Sequence, residues 1–549
     1  MRTRERSERW TRASRARGSG LDARLFAGAG LLAVLVSIAC SREDADRPQS
    51  AKERPLNVLL VVLDTLRADR LGAYGNARPT SPGLDALARE ACVFENAQTA
   101  APLTVASLLS LMTSLYPEVH GVQGSFNPGK MSAKVTTLAE VLSARGYSTA
   151  AFTEGGYARP DFGLGQGFQT YPRPPSDDDP NVTNLLRDSR LAANLARTTE
   201  WLRANHERPF FLFFHTYEIH APYWTREENV RRMRPSFDEA ADHARAAAAI
   251  ERWNREHATT RADCLTLLQH LYQCPLTGLP ALADPDGFER AARGFELAPD
   301  DAVRRDEVLE LVRDLYDASI RTTDDALEQL WSVLRELRLD ENTIVVVTSD
   351  HGEGLGQHGE MEHSNVLHEE ALRVPLWIRV PRPGYAARRV RELARTVDVV
   401  PTLLDVLDVD ARKLPLQGRS LGPLLRGEST ADAPRMAFSH ARRVVPGQPA
   451  QFTLRDDHWR LIDEPDTPRR WLYDRAADPE ERLDVAAAHP EVVARLAALL
   501  DRQRAADRWL QRALAAAPEA LELDEAARKE LRGLGYVEGE DGEAVRAPR

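Results

Sequence analysis

The chain has 549 residues, a formal net charge of −11 and four cysteines. That length exceeds one small domain and suits a large α/β domain with an appendage. Hydrophobic residues make up 43%, enough for a sizeable core. The acidic balance, with no basic stripe beyond the N-terminus, excludes a nucleic-acid partner, because phosphate backbones are bound by clustered Lys and Arg.

The N-terminus opens with eight arginines against Glu5, Glu8 and Asp22 within residues 1–24. Residues 25–39, LFAGAGLLAVLVSIA, are apolar but short for a bilayer-spanning helix. A basic stretch, a short apolar stretch and small residues read as an export signal. Ala39-Cys40 resembles a bacterial lipoprotein cleavage site, with Ser37 where that motif usually has Leu. The resemblance implies a signal peptide over 1–39, lipidation of Cys40, and an exported, lipid-anchored protein of the cell envelope. Ordinary signal cleavage and an uncleaved anchor are the alternatives. Residues 40–55 are polar and read as a flexible tether.

From residue 56 the pattern becomes that of a folded domain. The run LNVLLVVL at 56–63 suits a parallel strand covered on both faces. Similar runs recur at 149–153, 210–215, 343–348 and 374–380, with helical stretches at 133–145, 188–204 and 307–337 between them. The alternation predicts a doubly wound, mostly parallel sheet. Residues 225–300 break the rhythm with a charged, Ala-rich helix at 236–257 and a Pro- and Asp-rich loop. They read as a helical insertion in a domain spanning 56–430, a lid or a solvated excursion. Cys264 and Cys274 within it can close a small disulfide loop in an oxidising compartment, or remain unpaired. Cys92 reads as a buried small residue. Asn181-Val-Thr183 has the pattern of a glycosylation site. Segments 436–440, 451–455, 458–463 and 470–474, then a helix at 490–515, predict a small antiparallel sheet with a helix within 431–549.

Asp64 follows the first strand run, and Asp350-His351 follows TIVVVTS. In open α/β sheets, ligands gather at the carboxyl ends of the strands, so these three residues can converge on a divalent cation. Singly, each has a plainer reading, since an Asp after a strand is commonly a helix cap.

Several blocks together resemble the sulfatases of the alkaline-phosphatase-like superfamily. LNVLLVVLDTLRADRLGAYG (56–75) is similar to their opening strand and loop. TVASLLSLMTSLYPEVHG (104–121) is similar to their signature helix. TIVVVTSDHGEGLGQHG (343–359) resembles the second metal-binding loop, and HSNVLHEEALRVPL (363–376) the segment ending in Arg-Val-Pro. DVVPTLL (398–404), LYDRAADP (472–479) and LRGLGYV (531–537) resemble later landmarks. The resemblance implies a three-layer α/β sandwich with a small C-terminal α+β subdomain. It also implies a metal-dependent hydrolase of sulfate or phosphate esters.

The chain departs from that family at the nucleophile. Where formylglycine sulfatases begin their signature with Cys or Ser, this chain has Thr104. Ala106 and Leu108 stand where Pro and Arg are expected, and Thr65 where many sulfatases have a second Asp. Thr is not a formylglycine precursor, so that cofactor is not expected. Thr104 instead resembles the nucleophile of nucleotide pyrophosphatases, phosphoethanolamine transferases and lipoteichoic acid synthases. The matching set here is Asp64, Thr104, Asp350 and His351 around one ion of Ca, Mg, Mn or Zn. His363 matches a further histidine of those enzymes. His220 matches a substrate-binding histidine of sulfatases and is a candidate for the leaving-group proton. His215, Glu218 and His358 divide between function and packing, while Arg67 and Asp69 read as loop structure. TEGGY (153–157) replaces a basic segment of the family. Expected substrates are small-molecule, glycan or lipid esters. The alternatives are a phospho-group transferase acting on envelope lipids or glycans, and an inactive binding protein that keeps the fold.

Overall fold

The structure is a computed structural model. It describes residues 54–123, 129–174, 189–221, 223, 225–238, 241–242, 302–358, 363, 367–428, 435–441, 449–525, 527–528 and 531. The signal segment with Cys40, the sequon at 181–183, Cys264 and Cys274, most of helix 236–257 and residues 532–537 lie outside the described residues.

Seven strands form the main sheet, in the order β4-β5-β1-β6-β8-β2-β9. They are β1 (Asn57–Leu63), β2 (Cys92–Phe94), β4 (Ser148–Phe152), β5 (Phe210–Thr216), β6 (Thr343–Thr348), β8 (Leu376–Arg379) and β9 (Arg388–Val390). β4, β5, β1 and β6 run parallel, and β8 alone runs against its neighbours β6 and β2. β3 (Ala97–Gln98), β7 (Arg373–Val374) and β10 (Ala394–Arg395) make a small separate sheet.

All seven residues of β1 are buried, because alternate side chains enter two different cores. Leu59, Val61 and Leu63 pack into one with Phe210, Leu212, Phe214 and Val345, while Val58, Leu60 and Val62 pack into the other with Phe211, Phe213 and Ile344. A strand apolar on both faces needs a cover on each. On the first face lie helices Ser189–Asn205 and Ala302–Glu336, and on the second helix α1 (Thr104–Thr113) and helix Val399–Val406. The result is the expected three-layer sandwich.

The helix expected at 133–145 is shorter, Leu138–Ser143, because Thr137 and Glu140 form a capping box that starts it there. The described start of segment 225–300 contributes to the core. Helix Glu227–Met233 buries Val230 and Met233, and Asn229 Nδ2 donates to Thr322 Oγ1 at 2.9 Å. At the C-terminus, β11 (Ala437–Ala441), β12 (Gln451–Arg455), β13 (Trp459–Glu464) and β14 (Arg469–Asp474) pair antiparallel in that order. Helix Pro490–Leu514 covers the sheet through Leu496 and Leu500. Among the described residues no helix is long and apolar enough to cross a membrane, and the one free cysteine among them, Cys92, is buried.

Candidate active site

β5, β1 and β6 lie side by side with Leu63 opposite Thr216 and Val62 opposite Thr348. Their carboxyl ends therefore deliver Asp64, His215 and the Ser349-Asp350-His351 turn to one edge. Thr104 comes from elsewhere, as the first residue of α1. Leu103 takes the N-cap position of that helix, and the Thr104 hydroxyl lies 3.4 Å from Asp64 Oδ2 and 3.2 Å from His351 Nε2. The helix N-terminus adds a favourable field for negative charge at that hydroxyl. Asp64, Thr104, His215, Ser349, Asp350 and His351 are all buried.

Each carboxylate has one occupied and one open oxygen. Asp350 Oδ1 accepts the backbone N–H groups of His351 (2.9 Å) and Thr65 (3.2 Å), while Asp64 Oδ2 meets His215 Nε2 at 3.1 Å. Asp350 Oδ2 and Asp64 Oδ1 are buried without a hydrogen-bond partner. Thr65 aims its N–H at Asp350 from a left-handed backbone, φ 55°, which a β-branched residue adopts at a cost in strain. Tyr316 Oη holds it there, donating to the Thr65 carbonyl at 2.6 Å and accepting from Arg67 N at 2.9 Å. Arg67 in turn pairs with Asp69 and donates to the Glu353 carbonyl at 2.9 Å, bracing the two loops together. Gly352 follows His351 because a Cβ there would run into the Glu370 carbonyl oxygen.

Burial and the charge of Asp350 push Asp64 well above the usual carboxylate range. Burial also raises Asp350, but the imidazoles of His351 and His215 outweigh it and hold that carboxyl below its ordinary value. Burial lowers His351 and His215 to about 4 each, so both rings are neutral at pH 7. Two buried carboxylates facing each other, with no Lys or Arg bonded to either among the described residues, repel. A divalent cation removes that repulsion and gives the open oxygens a partner. Ligand atoms of Asp64, Asp350 and His351 all lie within 4.8 Å of one another, the spread expected when each sits about 2–2.6 Å from one ion. His351 Nδ1 lies 3.0 Å from the Gly352 carbonyl, which takes the ring proton and leaves Nε2 to coordinate. The residues fit a metal ion, with an oxygen-rich set that accepts Mg, Ca, Mn or Zn.

Two more histidines flank this group. The His363 ring lies 4.2 Å from that of His351, tilted by 31°, and the His220 ring lies 5.1 Å from His363, edge to face. His220 Nδ1 lies 2.5 Å from the Ala221 carbonyl and His363 Nδ1 3.1 Å from Glu353 Oε1. The other sequence candidates separate. His215 joins the site through Asp64. Glu218 is half-buried, its N–H bonded to Thr216 Oγ1 at 3.1 Å, and lies outside the acidic group. His358 turns away, to Glu370 and Glu481. In the TEGGY segment, Glu154 Oε2 accepts Tyr217 N–H at 2.9 Å, and burial lifts that carboxyl to about 7.

Sequence reasoning missed Glu353 and Tyr223. Glu353 is fully buried, holds His363 and accepts from Tyr223 Oη at 3.1 Å, and burial raises it to about 8. Its position two residues after His351, in an otherwise Gly-rich turn, was the available signal.

Comparison with known proteins finds one family and its fold. The family described as Sulfatase matches residues 56–409, and the one described as N-sulphoglucosamine sulphohydrolase, C-terminal, matches 356–506. An N-acetylglucosamine-6-O-sulfatase of Bacteroides thetaiotaomicron is 24% identical, covering 81% of this chain and 85% of that protein. Arylsulfatase K of Gallus gallus is 24% identical with 86% of each chain covered. Among solved structures, a protein bound to its substrate D-glucosamine-2-N,6-O-disulfate superposes with a TM-score of 0.64 at 20% identity, over 84% of this chain and 99% of its own. A phosphonate monoester hydrolase of Agrobacterium radiobacter superposes with 0.62 at 23% identity, over 83% and 96%.

Proposed function

The chain belongs to the sulfatase family and is a hydrolase of sulfate or phosphate esters, and on that premise we propose that Thr104 is its nucleophile, working beside one divalent cation. The observation that carries this reading is the Thr104 hydroxyl, 3.2 Å from His351 Nε2 and 3.4 Å from Asp64 Oδ2 at the start of a buried helix. Asp64, Thr104, Asp350 and His351 would hold the cation. When bound, it supplies a lowered hydroxyl pKa and polarises the ester oxygen.

The remaining steps belong to the side chains. Thr104 Oγ1 forms a bond to the sulfur or phosphorus centre as the bond from that centre to the leaving-group oxygen breaks. With His351 Nε2 given to the cation, Asp64 Oδ2, 3.4 Å away, would be the acceptor for the hydroxyl proton. The imidazolium form of His220 or His363 gives its Nε2 proton to the departing oxygen and is left neutral. Attack by water on the threonine ester then returns Thr104 and releases sulfate or phosphate. The N-acetylglucosamine-6-O-sulfatase among the relatives supports a sulfated glycan as substrate. The hydroxyl nucleophile, in place of a formylglycine precursor, supports phosphate or phosphonate esters. The arginine-rich start, the apolar run and Cys40 support an envelope lipoprotein, which a mass shift lost in Cys40→Ala would check.

The deciding experiment supplies purified protein with aryl sulfate, phosphate monoester, phosphodiester and phosphonate esters, each with added Mn, Zn, Mg or Ca. Metal-dependent turnover of one class is expected. No turnover with any, together with no bound metal by elemental analysis, defeats the proposal.

A further inference from the structure

His358 lies between His351 and His363 yet faces away from them. Its Nδ1 is 2.6 Å from Glu370 Oε1 and its Nε2 is 2.9 Å from the backbone carbonyl of Glu481. A carbonyl oxygen only accepts hydrogen bonds, and so does a carboxylate. Both ring nitrogens must therefore donate, which only an imidazolium can do. The ring of His368 lies parallel to it, 3.7 Å away and tilted by 5°. His368 Nδ1 is 3.3 Å from Glu481 Oε2.

Glu481 belongs to the turn after β14, and both His358 and Glu481 are non-glycine residues in left-handed backbone, φ 51° and 56°. That conformation persists only where surrounding contacts over-determine it. Helix Glu369–Leu372 closes the arrangement. The carbonyls of Glu370 and Ala371 accept the N–H groups of Glu353 (3.2 Å) and Gly352 (2.8 Å), next to His351, while the Glu370 side chain holds His358. One short helix thus grips both ends of the 352–358 loop, and Glu481 ties that loop to the C-terminal sheet.

We propose that His358 is a positioning residue whose charged ring clasps the 352–358 loop, which follows His351, onto the C-terminal sheet, so that the order of the site depends on that charge. The proposal rests on the function assigned above only for what the site does, not for the clasp itself.

The charged groups around the clasp favour the cation. Glu370 faces it from the short helix and Glu481 from the turn. Arg460 on β13, at 2.5 Å, and Arg475 after β14, at 3.3 Å, neutralise Glu481 from behind, and Arg455, Arg460 and Arg475 do so for Glu369. Tyr473 covers His368, with rings 5.2 Å apart. Burial opposes the charge on His358, but its bonds to Glu370 and Glu481 outweigh that and raise its pKa. A group raised in the folded state stabilises fully below its unfolded value, about 6.5, and loses that contribution as pH rises through the folded value.

The test compares melting temperatures of the full chain from pH 6 to 9 for wild type, His358→Gln and Glu370→Gln. Wild type should lose stability with rising pH, and His358→Gln should flatten that fall by about 2 °C or more. Glu370→Gln keeps an acceptor and removes the charge, so the fall should begin at lower pH. On an ester that the wild type turns over, His358→Gln should lower kcat about 10- to 100-fold with little change in KM, as displacement of a catalytic loop does. A His358→Gln profile parallel to wild type overturns the charged clasp, because a merely structural residue lowers stability equally at every pH. Unchanged kcat overturns its link to the site. If His358→Gln does not fold, the Glu370→Gln profile decides. If the wild type hydrolyses no ester, the assigned function fails, while the melting profiles still decide the clasp.

Discussion

Thr104 Oγ1 and His351 Nε2 lie 3.2 Å apart although 247 positions separate them in the chain. One sits at the start of a helix and the other in the turn after a strand, and both are buried. This contact makes Thr104 a reactive candidate and not only the first residue of a helix. Thr104→Ala should lower kcat by about 10³-fold or more, since loss of a nucleophile removes a covalent route. Thr104→Ser keeps the hydroxyl and should retain measurable turnover. Steady-state kinetics on the best ester would check both; full activity in Thr104→Ala would end the assignment.

Asp64 should act oppositely on stability with and without metal. In metal-free protein, burial and Asp350 raise Asp64, so its charge costs stability at pH values above the ordinary carboxylate range. Asp64→Asn should then raise the melting temperature of metal-free protein by about 2–4 °C. Wild type should gain stability from added metal, about 2.7 kcal/mol at 100 times Kd, and Asp64→Asn should gain far less. Calorimetric melts with and without chelator read this directly. An equal metal-induced shift in both proteins would remove Asp64 from the ligand set.

His215 Nε2 meets Asp64 Oδ2 at 3.1 Å, with both side chains fully buried. That bond leaves Oδ1 as the open oxygen. His215→Ala should weaken divalent-cation binding about 10- to 100-fold, the usual cost of removing an outer partner of a ligand. Titration calorimetry with Mn on both proteins would measure it. Unchanged affinity would show that Asp64 is oriented without His215.

Arg460 is buried between Glu481 and Glu369, at 2.5 and 2.6 Å. Arg460→Met would take one buried cation from both carboxylates and leave Arg475, with Arg455 beside Glu369, to compensate them in part, so the cost at neutral pH should fall below the about 3–5 kcal/mol of a fully broken buried pair. Burial raises both acids, but Arg460 and its neighbours hold them below the ordinary range. Such groups stabilise above the unfolded carboxylate value and lose that contribution as pH falls through the lower folded value. The gap between wild type and variant should therefore be widest near neutrality and shrink in acid. Urea unfolding at pH 4 and pH 7 would show it, and a constant gap would count against the ion-pair account.

The strand runs 56–63, 210–215 and 343–348 were legible because burial on both faces of a parallel sheet demands unbroken apolar sequence. Asp64, Asp350 and His351 were legible because they end two such runs, and Thr104 because its neighbours resemble a known signature. The meaning of His215 and His358 was not. His215 sits inside an apolar strand, and whether it packs or bonds depends on which strand lies beside it. His358 shares a turn with two site residues, yet the backbone reverses through Gly356 (φ 82°) and His358 itself, pointing its ring at Glu481, 123 positions away.

The sequence alone therefore determined the fold, the family and which residues end at the sheet's working edge, since these follow from local periodicity and short motifs. Only the tertiary structure decided which side chains meet there, which carboxylate oxygens stay open, and which histidines face the site. Those depend on strand register and loop reversal, through which residues far apart in the chain come within hydrogen-bonding distance.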